Sequence, residues 1–160
     1  MPDGKLFIRG VLRTGGAMAV AALIGASAQA MACAGAGDRD GMAVRALQTR
    51  LMVAALTCDA RADYNRFVTR FRPHLTEQAT RLRRYFRHAH GERHKQALNL
   101  YVTDLANQAS TLSINDRAGF CATGRAAFDR LLGAPDRDAY GVLSQVAAET
   151  GGAHDPKPGC

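Results

Sequence analysis

ALNLYVTDLANQASTL, residues 97–112, is the stretch whose pattern decides the fold. Ala97, Leu98, Tyr101, Val102, Leu105, Ala109 and Leu112 recur at three- and four-residue steps and therefore line one face of a helix, with no two-residue alternation to compete. The same spacing extends outward in both directions. Upstream, Val44, Leu47, Leu51, Ala55 and Cys58 predict a first helix from about Gly41 to Cys58. Asp59 is placed to cap the segment that follows. Tyr64, Phe67, Val68 and Phe71 then form the buried face of a second helix, which Pro73 ends or kinks, because proline lacks a backbone donor and disfavours the α conformation before it.

A third helix is predicted from Pro73 to Ala89, with Leu75, Ala79, Leu82, Phe86 and Ala89 on one stripe and Gly91 as its terminator. Downstream of the opening stretch, Asn115 and Asp116 mark a turn, and Asp116 is the expected cap of a fifth helix carrying Phe120, Ala127, Phe128 and Leu131 up to Gly133. Pro135 suits the first position of a sixth, continued by Tyr140, Leu143 and Ala147. The expected fold is all-α: a small single domain, a bundle or orthogonal array of five to six amphipathic helices over 41–150. Residues 31–40 read as a flexible arm and 151–160 as an irregular tail.

The first thirty residues have a different logic. Lys5, Arg9 and Arg13 precede the short apolar run AMAVAALIGA (17–26), and Ala28-Gln29-Ala30 is a small-x-small cleavage site, so 1–30 is expected to be a removed signal peptide and Met31 the mature start. The run is about half the roughly 20 residues that span a bilayer, so no transmembrane segment is expected after cleavage. A periplasmic or secreted location follows, and it governs the reading of Cys33, Cys58, Cys121 and Cys160. Four cysteines without a CxxC spacing in an oxidising compartment point to two disulfides. Three pairings are possible. Cys58–Cys121 with Cys33–Cys160 is the expected one, joining the end of one helix to the start of a later one and the two chain ends to each other.

Charge is the main functional signal. The chain carries a formal +7, and between Arg61 and Lys95 ten basic residues stand against three acidic ones. Arg81, Arg83, Arg84 and Arg87 avoid the Leu82–Phe86 stripe and should face solvent together, while Arg66 and Arg70 form an i, i+4 pair on the second helix. Guanidinium forks bind carboxylates and phosphates through paired hydrogen bonds, so these six arginines are the candidate contact for an acidic protein, an anionic lipid head group or an anionic polymer. Nucleic acid is not expected, since no finger, RNA-binding or basic-zipper signature occurs.

An alternative function, divalent metal binding with zinc or copper as the only cofactor in view, rests on His88, His90 and His94 in the run HAHGERH, where Gly91 interrupts the helical spacing. No catalytic residue is assigned: GxSxG, HExxH, CxxCH and a phosphate-cradling glycine loop are all missing, and Asp104, Asp116 and Asp129 have no spacing that pairs them. The expected function is an exported, disulfide-stabilised helical binding or adaptor protein.

Overall fold

The computed structural model of the protein describes residues 34–150. They form six α-helices: α1 (Ala36–Thr57), α2 (Arg61–Arg70), α3 (Arg72–His90), α4 (His94–Asn115), α5 (Arg117–Gly133) and α6 (Ala139–Thr150). Single turns of 3-10 helix at Gly91–Arg93 and Asp136–Asp138 complete the order. The all-helical expectation holds, and no strand occurs among the described residues. The expected signal peptide, Cys33, and the tail with Cys160 lie outside those residues. Of the two expected disulfides, Cys58–Cys121 is present, with Cα atoms 5.6 Å apart. No helix among the described residues is long and apolar enough to cross a membrane.

Helix α1 is the spine around which the others pack, and its sequence explains why. It buries Met42, Ala46 and Val53 as well as the expected Val44, Leu47, Leu51 and Ala55, so it is covered on several sides rather than along one stripe. Its alanines and Gly41 keep it slender. A Cβ on Gly41 would lie 3.3 Å from the Gln78 backbone oxygen of α3, so glycine here sets how closely the two helices approach. The helix also starts at Ala36, five residues earlier than expected, which corrects the reading of 36–40 as part of a flexible arm. Asp38 accepts a hydrogen bond from the Gly35 backbone N–H (3.2 Å), and Ala34 is buried against α3 and α4, so the first turn is held at both levels.

Two cores lie against different faces of this spine. One joins α1 to α2, α5 and α6 through Phe67, Phe71, Phe128, Leu131, Leu143 and Val146. Its rings meet at tilted and edge-on angles, Phe67 to Phe71 at 5.4 Å and Phe67 to Phe128 at 6.5 Å, the geometry that the ring quadrupole favours. The other joins α1 to α3 and α4 through Met42, Ala46, Leu82, Tyr85, Phe86, Tyr101 and Leu105. A small third cluster of Val53, Ala54, Ala109 and Phe120 sits under Cys58. There the disulfide closes a loop with a sequence separation of 63, which in the chain-entropy picture is a stabilisation of about 4 kcal/mol.

The helix ends refine the sequence reading. Asp59 does not cap α2; Ala60 holds that position without a side-chain bond, and Asp59 instead adopts a left-handed φ of 55° that turns the chain out of α1. Asp116 does cap α5, accepting from the Gly119 N–H at 2.9 Å. Pro135 is not the first residue of α6. It precedes the 3-10 turn, in extended conformation, and α6 starts only at Ala139. Tyr140 and Leu112, both assigned to buried stripes, are 39% and 44% exposed.

Candidate functional site

The arginines fall into two chemical groups once their acceptors are located. Arg70 of α2 is used by the fold: it reaches across to the C-terminal end of α5 and donates to the carbonyls of Leu131, Leu132 and Ala134, and to Asp136 at 2.9 Å. These are carbonyls at a helix end and just past it, where the chain has no intrahelical donors to offer and where the dipole favours a cation. With its side chain 22% exposed and both Nη groups engaged, Arg70 is a structural staple rather than a free anion receptor. Arg66, its expected companion, pairs with Asp63 one turn earlier.

On α3 the four expected arginines divide again, and Arg72 at its start is exposed without a carboxylate partner among the described residues. Arg81 donates to Glu77 at 2.7 Å, and this hydrogen bond, followed by the carboxylate's charge, raises its pKa above the ordinary guanidinium value. It lies at the edge of the helix face, beside Gly37 of α1. Arg83, Arg84 and Arg87 are exposed, and none has a carboxylate partner among the described residues. Arg83 donates only to the Thr80 hydroxyl at 3.0 Å. Three of the six expected residues therefore share one face with their charge uncompensated, and three have protein carboxylates.

A residue outside the expected set joins this group. Arg45 of α1 has one long hydrogen bond, from Nη1 to Gln48 at 3.4 Å, while its Nε is shut away from solvent with no acceptor among the described residues. Arg45 and Arg83 lie at the walls of a groove of about 520 Å³ between α1, α3 and α4. Ala79, Leu82, Leu98 and Val102 make its apolar floor, and Asn99 and Thr103 of α4 add polar groups. This size is within the roughly 300–1,000 Å³ of small-molecule sites. Sequence reading missed Arg45 because the charge around it is balanced locally; only the approach of α3 to α1 brings it to Arg83.

The three histidines expected as metal ligands form no metal-holding group among the described residues. Gly91 ends α3 with φ 52° and starts a one-turn 3-10 helix, so the three imidazoles leave the chain in different settings. His88 is exposed. His90 turns back onto Phe86, ring on ring at 5.3 Å and 19°. His94 uses Nδ1 to donate to the Gly91 carbonyl at 2.7 Å. No group of three or more His, Cys, Asp or Glu arranged to hold a metal occurs among the described residues. The acids named from the sequence are likewise separate: Asp104 accepts from Gln108 on α4, Asp116 caps α5, and Asp129 is exposed on α5.

Compared with protein-family models, with curated proteins and with solved structures, the chain matches none.

Proposed function

We propose that the chain is an exported, disulfide-stabilised helical binding module that takes an anionic partner on the α3 side of the fold. The carrying observation is the uncompensated trio Arg83, Arg84 and Arg87 gathered on one helix face beside Arg45, whereas Arg66, Arg70 and Arg81 are matched to carboxylates. A guanidinium left without an acid on a folded surface keeps its paired donors available for a carboxylate or phosphate from outside. The composition of residues 1–30 and the Cys58–Cys121 bond support the exported setting. Acidic proteins, anionic lipid head groups and anionic polymers all present the required chemistry.

The test uses polyglutamate as probe and the combined variant Arg83→Gln, Arg84→Gln, Arg87→Gln. All three positions are exposed, so the substitutions leave the core untouched. Binding should weaken by about tenfold or more and lose most of its salt dependence, because charge-assisted contacts of roughly 1.5–3 kcal/mol each are removed. Affinity and salt dependence equal to those of the unaltered protein would overturn the reading.

A further inference from the structure

We infer that the groove between α1, α3 and α4 is a binding site for a small amphiphilic carboxylate, a single molecule with one anionic head and a hydrocarbon body, of the fatty-acid type. The inference rests on the anionic-partner reading above and narrows it to one cleft and one ligand class. Its starting point is that the groove combines two features that a surface charge patch lacks. The walls carry Arg45 and Arg83, whose guanidinium groups have no carboxylate partner among the described residues. Between them runs a floor of Ala79, Leu98 and Val102, half-buried, with Leu82 beneath at 2% exposure.

Each feature selects against a different competitor. Arg45 is held within the fold by its helix and shares an edge of the groove with apolar side chains, so an anion reaching it leaves bulk water, where its attraction to guanidinium is stronger than at an open surface. A purely polar anion such as acetate or inorganic phosphate gains the charge contact and leaves the floor wet. A neutral hydrocarbon or alcohol covers the floor and leaves two cationic side chains without their counter-charge. Only a molecule with both parts satisfies the walls and the floor together, and each buried methylene strengthens binding about fourfold. Asn99 and Thr103 offer further hydrogen-bonding groups at the α4 edge. Arg84 and Arg87 are not among the groove's lining residues, so they serve the wider charged face and not this ligand.

The decisive experiment is calorimetric titration of the full chain with laurate below its micelle concentration, alongside dodecanol, acetate and polyglutamate. Laurate should bind one to one, and dodecanol and acetate at least about tenfold more weakly, the ratio expected when a charge-assisted contact or several buried methylenes are lost. Arg45→Gln should weaken laurate by a similar factor. Asn99→Glu, at an exposed position that does not threaten folding, places a carboxylate at the same rim and should do so too. Arg84→Gln with Arg87→Gln should leave laurate affinity unchanged while weakening polyglutamate. Polyglutamate binding that needs Arg83, Arg84 and Arg87, with no laurate binding, or with laurate binding indifferent to both groove variants, would overturn the groove site and leave the anionic face standing. Absence of binding to either probe would overturn both.

Discussion

On the two sides of α1 the arginines nearest the helix packing are used differently. Toward α2, α5 and α6, three arginines are joined to the fold, while Arg61 and Arg125 stay exposed without a carboxylate partner among the described residues: Arg70 gathers the end of α5, Arg50 donates to the Thr150 carbonyl at the end of α6, and Arg130 pairs with Glu149 between α5 and α6. That side also holds the phenylalanine core. Toward α3 and α4, Arg45, Arg83, Arg84 and Arg87 have no carboxylate partner among the described residues, and the helices leave a groove between them. Arginine count therefore says little about function in this protein. What separates a staple from a candidate receptor is whether the fold delivers an acceptor to the guanidinium.

The sharpest ways to break this division act first on the closed side. Replacing Cys58 and Cys121 together by alanine should lower unfolding free energy by about 2–4 kcal/mol, measured by denaturant titration, since the bond closes a long loop. Arg70→Met should cost about 2–3 kcal/mol in the same assay, because it keeps the aliphatic stem but leaves several carbonyls at the end of α5 without a charged donor. At the junction of the two sides, Gly41→Val should destabilise by about 1–3 kcal/mol, because α1 and α3 must separate to admit the side chain. A structure in which Gly41→Val is silent would mean that α3 is free to move away from α1.

A smaller effect is expected in acid. The hydrogen bond from Arg130 holds the Glu149 carboxyl below its ordinary pKa of 4.5, with Gln145 assisting and desolvation opposing. The folded state therefore binds this proton less readily than the unfolded chain. The pair's contribution is complete above pH 4.5 and fades as pH falls through the lower, folded-state value. Both groups are well exposed, so Glu149→Gln should remove only a slight part of the acid dependence of stability. Least of all should stability respond to Arg83→Gln, Arg84→Gln and Arg87→Gln, each expected within about 0.5 kcal/mol of the parent.

Helix number, most boundaries and the Asp116 cap were legible in the sequence because each is set by local spacing or by one side chain and its neighbouring backbone. The readings that failed depended on tertiary partners. Residues 36–40 looked mobile by composition, yet Asp38 caps the first turn and Ala34 packs beneath α3 and α4. Tyr140 followed the apolar stripe of α6 but lies beside His74, with its hydroxyl accepting from the buried Gln78 at 3.1 Å, so it stays at the surface. Arg66 and Arg70 read as one pair, and only the distance from α2 to the end of α5 separates their roles. The groove was not legible at all, since Arg45, Leu82 and Val102 come from three helices and share no sequence signal.

Stability and polyglutamate affinity measured side by side for Arg70→Met and for the Arg83→Gln, Arg84→Gln, Arg87→Gln variant separate the structural arginine from the partner-binding ones. A crossed result is expected: the first loses about 2–3 kcal/mol of stability and keeps its affinity in native conditions, and the second keeps its stability and loses affinity about tenfold or more. Loss of both properties in both variants, or loss of affinity in Arg70→Met alone, would contradict the division of arginines between fold and partner.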